Sequence, residues 1–327
     1  PPGKNAGESS GVTIYSNVIY NSVMGKKANT PSLRKSLPEK FRRLAALVDR
    51  RLENFLPDRE DKYAQAVLEA MRYSLLAPGK RLRPVVTMLS AEVAGARAEE
   101  VLQGAAAVEM IHTASLILDD LPCMDNAHLR RGRYALHQHT DEATAVLASN
   151  GLLMQGFFLI AQAAAAAGLS AEATAGLVAE AAECVGVAGM VGGQWRDLFP
   201  GEKSFEELEY IHSHKTGRLF ILAATLGARL AGADDRTTEC LAGYAKNLGL
   251  AFQIIDDLLD CEAAAEDLGK DTGTDQLKTT FVTVCGEGAA HEVAGELVAA
   301  AKGSLEIFGR RGDSLARLAD FVYSRKL

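Results

Sequence analysis

EMIHTASLILDDLPCMDNAHLRRG occupies residues 109–132 and places three aspartates, Asp119, Asp120 and Asp125, directly after an apolar run. Burying unpaired carboxylates beside an apolar core costs free energy. A divalent cation removes that conflict, since Mg²⁺ takes oxygen ligands and is commonly shared with substrate phosphates. The stretch therefore predicts a buried helix whose end carries a magnesium-binding carboxylate cluster.

A second aspartate cluster, Asp256, Asp257 and Asp260, follows the uncharged stretch NLGLAFQII. On a helix, positions three and four apart share a face, so these carboxylates repel one another at neutral pH. Taken alone, the string could be a solvated acidic helix end. Its place directly after an apolar run favours a functional site. Two facing clusters could hold a diphosphate between them through a small group of metal ions.

Pro122 lies inside the first cluster and should distort the helix, because it removes a backbone donor and clashes with the preceding turn. A kink there could return Asp125 to the other two aspartates. The alternative is a helix that ends at Leu121 and leads into an acidic loop. The basic pair Arg130–Arg131 favours the first interpretation, because guanidinium groups bind phosphate through paired hydrogen bonds.

Composition excludes several classes of protein. The net charge of −7 over 327 residues argues against a general nucleic-acid-binding protein. Five scattered cysteines without CxxC spacing indicate neither a disulfide framework nor a zinc site. The most apolar stretch, GFFLIAQAAAAAG, is short and contains a glutamine, so we expect no transmembrane segment.

Helical periodicity dominates the chain from residue 39 to residue 327, which we interpret as one all-α domain. Residues 1–38 are rich in Gly, Ser, Asn and Lys and are expected to be disordered. The segment 142–167 is apolar almost all round, which is typical of a helix inside a large bundle. After a first helix within FRRLAALVDRRLENFL, we predict helices at about 60–76, 81–94, 98–124, 142–167, 171–189, 204–229, 235–262 and 286–323.

Basic residues elsewhere could complete an anion site. GKRLRP, residues 79–84, is a turn that leads into a helix, and helix N-termini bind anions; a charged surface loop is the alternative. His112 lies seven positions before Asp119 and could face the same cavity, although a lone histidine in an apolar run is more often a core residue. Lys215 and Lys270 are individually ordinary.

In this order, the motifs resemble those of the trans-isoprenyl diphosphate synthases, in particular the geranylgeranyl and farnesyl diphosphate synthase family. The resemblance runs from about residue 40 to the C-terminus. The matching segments are GKRLRP (79–84), HTASLILDDLPCMDNAHLRRG (112–132), GGQWRDL (192–198), HKTG (214–217), LGLAFQIIDDLLD (248–260), DLGKD (267–271) and LKTTF (277–281). The chain departs from the family pattern at Leu118, Ala127, His128, Asn150, Thr274 and Val282. Both aspartate trios are intact.

The resemblance implies the isoprenoid synthase fold, an all-α bundle with a central active-site cavity. It implies head-to-tail (1′-4) condensation of an allylic diphosphate (dimethylallyl, geranyl or farnesyl) with isopentenyl diphosphate. Three Mg²⁺ ions with bound diphosphate are implied, held by Asp119, Asp120, Asp125, Asp256 and Asp260. Asp257 and Lys215 complete the implied catalytic set. The implied substrate-binding residues are Lys80, Arg83, His112, Arg130, Arg131, Lys215, Thr216, Gln253 and Lys270.

Product length is expected to depend on Ala114 and Ser115, five and four positions before Asp119. In the resembling family a bulky aromatic there stops growth at fifteen carbons. Both residues are small here, so we expect mainly geranylgeranyl diphosphate, with twenty carbons. Longer chains are the alternative product, because Ala114 is smaller than the residue expected for a strict stop at twenty carbons. The alternatives are a class I terpene cyclase and a non-catalytic subunit of a heteromeric synthase.

The resemblance also implies a homodimer, with the helix at 142–167 in its interface. The chain begins at Pro1 rather than at Met. The expected compartment is the cytoplasm, or a plastid if a transit peptide has been removed.

Overall fold

The computed structural model describes residues 37–57, 63–201, 204–267 and 280–325, with the side chains of 262–267 excepted. Helices make up nearly all of these ranges, so the predicted all-α bundle is confirmed. The first helix begins at Glu39. The expectation of a disordered segment at 1–38 falls almost wholly outside the described residues and stays a prediction.

The described helices range from four to 33 residues in length. They are α1 (Glu39–Leu52), α2 (Gln65–Leu75), α3 (Leu82–Ala94), α4 (Leu102–Asp119), α5 (Leu136–His139), α6 (Glu142–Ala166), α7 (Ala171–Val185), α8 (Met190–Leu198), α9 (Phe205–His212), α10 (Arg218–Leu230), α11 (Asp235–Asp267), α12 (Phe281–Cys285), α13 (Glu287–Gly303) and α14 (Asp313–Tyr323). Short 3₁₀ segments lie at Glu53–Phe55, Ala98–Val101 and Glu306–Gly312, and a π-helical turn at Ser213–Gly217. Strands β1 (Leu129–Arg130) and β2 (Arg133–Tyr134) form an antiparallel hairpin.

Helix α4 lies at the centre of the bundle, against α2, α3, α6 and α10. Small residues allow the close approach of its neighbours. A Cβ atom built on Gly156 of α6 would lie 2.7 Å from Ile111 of α4, so only glycine fits between these helices as they stand. Helix α10 packs against α3, α4 and α11. The two helices that carry the aspartate clusters, α4 and α11, therefore share α10 as a neighbour.

Several predicted helix boundaries are wrong for identifiable reasons. The helix predicted at 98–124 ends at Asp119, before Pro122. The helix predicted at 171–189 ends at Val185, and α8 starts separately at Met190. A glycine allows this break, since a Cβ on Gly189 would lie 1.9 Å from the carbonyl oxygen of Cys184.

The structure departs from the predicted helices at two further places in the C-terminal half, and it contains a hairpin that the sequence did not predict. The predicted helix 204–229 contains the π-helical turn, and the predicted helix 286–323 is divided where Gly309 adopts φ +52°. The hairpin was not predicted, because each strand has only two residues. Its turn places Arg131 and Gly132 at φ +54° and +76°, the backbone conformation that tight hairpin turns require.

Three segments are long and apolar enough to cross a membrane by length and composition: Ala98–Asp119, Glu142–Ala166 and Ala171–Leu198. The expectation that no stretch reaches that length is therefore wrong. The first segment is mostly buried inside the bundle. Helix α6 leaves Leu147, Met154 and Phe158 exposed, so the expectation that it lies wholly inside the bundle is wrong for a single chain.

Candidate active site

The first aspartate cluster lies where α4 ends. The backbone N–H of Asp125 donates to the carbonyl oxygen of Asp119 at 2.9 Å, and that of Asn126 donates to Leu121 at 3.0 Å. The chain thus turns sharply after Pro122 and returns to the helix end. The helix stops, as one interpretation of the sequence expected, and Asp125 nevertheless rejoins Asp119, as the other expected.

Asp119 lies in an environment that disfavours its charge. Burial raises the pKa of its carboxyl group to about 6, with Asp125 and Asp120 adding to the rise while Lys215 and Arg130 oppose it. A proton or a cation would relieve this unfavourable environment. The environment therefore suits a carboxylate that binds positive charge.

Asp120, in contrast, already has a cationic partner. Asp120 is 3% exposed, and Arg130 on β1 binds its carboxylate. Nε of Arg130 lies 2.9 Å from Oδ1 and 3.1 Å from Oδ2 of Asp120, and Nη2 of Arg130 also contacts Oδ1. The predicted metal ligand Asp120 and the predicted phosphate ligand Arg130 are thus paired with each other.

The first turn of α3 and the middle of α4 bring basic groups together. Nη1 of Arg83 lies 3.2 Å from Nε2 of His112, and its guanidinium covers the ring of Phe220 at 4.6 Å. Because a guanidinium only donates hydrogen bonds, Nε2 of His112 accepts and the ring is neutral. Burial, followed by Arg83 and Arg131, lowers the pKa of His112 well below its usual range. Burial also lowers the pKa of Arg83 to about 10, against the effect of Glu109 and Asp256.

The second aspartate cluster lies within α11, rather than at a helix end as expected. Asp256 is paired with Arg325, whose Nη1 lies 2.7 Å from Oδ1. Burial raises the pKa of Asp256, while Arg325 and Lys80 oppose the rise. Lys80 is therefore close enough to Asp256 to interact electrostatically with it. Asp260 is exposed on the same helix.

The middle aspartate of the second cluster belongs to a hydrogen-bond chain. Asp257 is 5% exposed and accepts hydrogen bonds from Nε2 of Gln253 at 3.1 Å and from the backbone N–H of Phe281 at 3.3 Å. Thr216 donates to Oε1 of Gln253 at 3.1 Å. Burial raises the pKa of Asp257 to about 6, and these hydrogen bonds lower it. These hydrogen bonds connect the π-helical turn, α11 and the start of α12.

Lys215 lies in the π-helical turn, a feature often found at functional sites. Its Nζ forms an ion pair with Asp197 of α8. Burial lowers the pKa of Lys215, but Asp197, Asp119 and Asp125 outweigh that effect and raise it overall. Lys215 therefore lies near the first cluster, as the resemblance implied.

The chain-length candidates have different environments. Ala114 is 2% exposed, and its carbonyl oxygen accepts a hydrogen bond from Ser149 of α6 at 2.8 Å. Ser115 is partly buried and donates to the carbonyl of His112 at 2.9 Å. Lys270, also predicted to bind substrate, lies outside the described residues.

Sequence reasoning missed three residues of this region. Glu109 is buried against the basic loop, Asp197 pairs with Lys215, and Arg325 pairs with Asp256. Asp197 lies in a matching motif, GGQWRDL, which could have indicated it. Glu109 stands out only as a lone charge in an apolar run. Nothing in the local sequence connects Arg325 to an aspartate in α11.

Comparison with known proteins identifies the family of the chain. The family model described as "Polyprenyl synthetase" matches residues 64–296. A chloroplastic geranylgeranyl pyrophosphate synthase of Capsicum annuum is 43% identical over 270 residues, covering 81% of this chain and 73% of that protein. An Arabidopsis thaliana protein named heterodimeric geranylgeranyl pyrophosphate synthase large subunit 1, chloroplastic, is 38% identical, covering 96% of this chain and 87% of that protein.

Solved structures are similar to this chain in fold. An FPP/GFPP synthase of Zymomonas mobilis superposes with a TM-score of 0.76 at 32% identity, covering 87% of this chain and 98% of that one. A geranyltransferase of Legionella pneumophila gives a TM-score of 0.75 at 29% identity, covering 88% of this chain and 95% of that one. The predicted isoprenoid synthase fold is confirmed, and the chain belongs to the polyprenyl synthetase family.

Proposed function

We propose that this protein is a trans-prenyltransferase that condenses an allylic diphosphate with isopentenyl diphosphate, head to tail, and makes mainly geranylgeranyl diphosphate. One observation carries the proposal: basic residues interact with both aspartate clusters. Arg130 forms an ion pair with Asp120 of the first cluster, and Lys215 opposes the rise in the pKa of Asp119. Arg325 forms an ion pair with Asp256 of the second cluster, and Lys80 opposes the rise in its pKa. Such an arrangement suits two diphosphates bound side by side.

The carboxylates fit Mg²⁺ that is bound together with diphosphate. Within the described ranges, no three His, Cys, Asp or Glu side chains are already gathered as a single metal site. Mg²⁺ does not need such a group, because it commonly uses one or two carboxylates together with substrate phosphates and water. The raised pKa of Asp119 supports a cation at that end of the cavity. We propose Asp119, Asp125, Asp256 and Asp260 as its ligands, with Asp120 available only if Arg130 releases it.

Ionisation of the allylic carbon–oxygen bond places negative charge on the leaving diphosphate. Mg²⁺, when bound, would supply electrostatic stabilisation of that charge. Arg130 and Lys215 would add hydrogen-bond donors near the first cluster. Both cations are paired with carboxylates, Asp120 and Asp197, so a bound diphosphate would compete with these partners. Hydrogen bonds link Thr216 to Gln253 and Gln253 to Asp257 in the same part of the site. Lys270 is a further proposed substrate-binding residue.

Isopentenyl diphosphate would bind at Lys80, Arg83, His112 and Arg131. Neutral His112 would offer a hydrogen bond without adding to the charge of the arginines. Binding there would hold the alkene close to the allylic cation and so favour attack. The apolar rings of Phe220 and Phe252, with centroids 5.4 Å apart, would help to exclude water from the cation. The proton lost at the end would pass to the released diphosphate.

A twenty-carbon product is supported by the small side chains at Ala114 and Ser115 and by the names of several relatives, including a geranylgeranyl diphosphate synthase of Cyanophora paradoxa.

We propose a homodimer that uses the exposed face of α6. The chloroplastic relatives from Capsicum annuum and Arabidopsis thaliana support the plastid alternative for its compartment. A fluorescent fusion of the full-length gene product would test the compartment.

The decisive experiment is incubation with Mg²⁺, an allylic diphosphate and labelled isopentenyl diphosphate. Label in a longer prenyl diphosphate supports the proposal. A hydrocarbon formed from the allylic substrate alone would instead indicate a terpene cyclase. Turnover that needs an added homologous subunit would indicate a subunit of a heteromeric synthase. Both alternatives are disfavoured, because the isopentenyl-side residues and all the aspartates of both clusters are present.

A further inference from the structure

Glu109 is a buried carboxylate for which the proposed reaction has no direct use. It lies on α4, ten positions before Asp119, and is 1% exposed. Burying a charged carboxylate is unfavourable unless it is paired. Its partners are Arg81, whose Nη1 contacts Oε1, and Arg131, whose Nη2 lies 3.6 Å from the same oxygen. Glu109 therefore joins the loop before α3 to the hairpin after α4.

Arg81 is saturated by protein groups. Besides Glu109, its guanidinium donates to Oδ1 of Asp49 at 2.9 Å and to the carbonyl oxygens of Leu75 and Ala77 at 2.9 and 2.7 Å. It is 3% exposed. Arg81 thus fixes the course of the loop and has little capacity left for a ligand.

Arg131 is held less completely. Its distance to Glu109 is long for a direct hydrogen bond, and its side chain is 16% exposed. The guanidinium lies against Gly79, where an added Cβ would be 3.1 Å from Cζ. Arg131 therefore sits beside the backbone that precedes Lys80 and keeps donors for a ligand.

Both arginines have unusual backbone conformations. Arg81 has φ +53° and Arg131 has φ +54°, a region that costs a residue other than glycine roughly 1 kcal/mol. Left-handed residues of this kind persist where the surroundings hold them and are common at functional sites. Here one carboxylate contacts the side chains of both.

Glu109 also offsets a concentration of positive charge. The pKa of Arg131 is lowered by burial, and Arg81 and Arg130 add to that effect while Glu109 opposes it. Glu109 opposes the lowering of the pKa of Arg83 in the same way. Without this carboxylate, the guanidinium groups would repel one another and move apart.

We propose that Glu109 is a positioning residue for isopentenyl diphosphate, which holds Arg131 against the Gly79–Lys80 backbone so that Lys80, Arg83 and Arg131 form one anion-binding surface. The proposal rests on the proposed function. It assigns Glu109 no contact with substrate, and its effect passes through Arg131.

The test compares Michaelis constants for isopentenyl diphosphate. Glu109→Ala should raise this KM about tenfold, with kcat and the KM for the allylic substrate changed less than about threefold. Glu109→Gln, which keeps an oxygen acceptor of the same shape, should give a smaller rise. Asp49→Asn is the matched control, because Asp49 also binds Arg81, which Glu109 and the carbonyl oxygens of Leu75 and Ala77 continue to hold. It should lower thermal stability and leave the KM unchanged.

A double mutant separates positioning from general destabilisation. In an Arg131→Ala background, Glu109→Gln should cause no further rise in KM, because the residue through which it acts is gone. Equal effects of Glu109→Gln in both backgrounds would overturn the proposal, as would an unchanged KM in both Glu109 variants. If the wild-type protein does not elongate the allylic diphosphate, the proposed function itself is contradicted. If the wild type is active and the KM is unchanged in both Glu109 variants, only the positioning role is contradicted.

Discussion

Arg325 reaches back from the C-terminal end of the chain to Asp256, with Nη1 2.7 Å from Oδ1 across 69 sequence positions. Its Nη2 donates to the carbonyl of Phe252 at 3.0 Å, and its guanidinium covers the ring of Phe252 at 4.1 Å. A side-chain cation therefore pairs with a predicted magnesium ligand. Metal at Asp256 would compete with this guanidinium.

Arg325→Gln should therefore make the protein more dependent on metal. In EDTA its melting temperature should fall, because the partly buried Asp256 loses its partner. Mg²⁺ with inorganic diphosphate should raise the melting temperature more in the variant than in wild type. Differential scanning fluorimetry with and without Mg²⁺ measures both effects, and equal shifts in the two proteins would contradict competition at Asp256.

Asp119→Ala and Asp256→Ala should each lower turnover about a hundredfold or more while the helical circular dichroism spectrum is retained. Each change removes a proposed metal ligand. Asp256→Ala also removes the partner of the buried Arg325, so its melting temperature should fall and must be measured with the rate. Asp235→Ala, whose side chain is 88% exposed, is the control and should keep full activity. EDTA should abolish wild-type turnover. Near-normal rates for either variant at saturating Mg²⁺ would show that the ligand assignment is wrong.

The raised pKa of Asp119, about 6, predicts a specific pH dependence of stability. A carboxyl group whose pKa is raised by folding contributes favourably when protonated, below about pH 4, and this contribution is lost as the pH rises through about 6. Metal-free Asp119→Asn should thus be more stable than wild type near pH 7.5, by roughly 1–3 kcal/mol after allowance for solvent screening. The difference should shrink toward pH 4. Urea unfolding of both proteins across this range measures it; a constant difference would contradict the expected protonation.

Ala114→Phe should shorten the main product to fifteen carbons without abolishing activity. A stop one isoprene unit deeper, roughly three helix residues along α4, would fall near Ile111 or Met110, both of which are buried. Because Ala114 is 2% exposed, the melting temperature must be measured with the product distribution. Ser115→Phe provides a comparison at the adjacent, less buried position. An unchanged product pattern in both variants would show that the growing chain does not follow this part of α4.

Phe158→Asp should convert the proposed homodimer into monomers. Phe158 is 54% exposed in the single chain, and Leu147 and Met154 are exposed on the same helix at 55% and 58%. An apolar face of this kind commonly marks an interface between proteins. Ile307→Asp, at another exposed apolar position, is the control and should sediment like wild type. A monomeric wild type at micromolar concentration would contradict the proposal.

Sequence alone determined the fold class and the broad location of the site. Helical periodicity is a local signal, so helices such as α3 and α6 were predicted close to their true limits. The aspartate clusters were equally visible, because acidic residues after apolar runs stand out in one dimension. Predicted boundaries were wrong where backbone geometry, and not apolar periodicity, ended the helix, as at the break before Met190, where Gly189 approaches the backbone carbonyl of Cys184.

Only the tertiary structure decided which charges are paired. Asp120 and Asp256 look alike in the sequence, yet one is paired with Arg130, ten positions away, and the other with Arg325, 69 positions away. Asp257, a predicted member of the catalytic set, accepts a hydrogen bond from the first backbone N–H of α12. Electrostatic interactions and hydrogen bonds depend on distance in space, which the order of residues does not encode directly. The sequence therefore supplied the chemical groups, and packing of α4, α10 and α11 determined which of them meet.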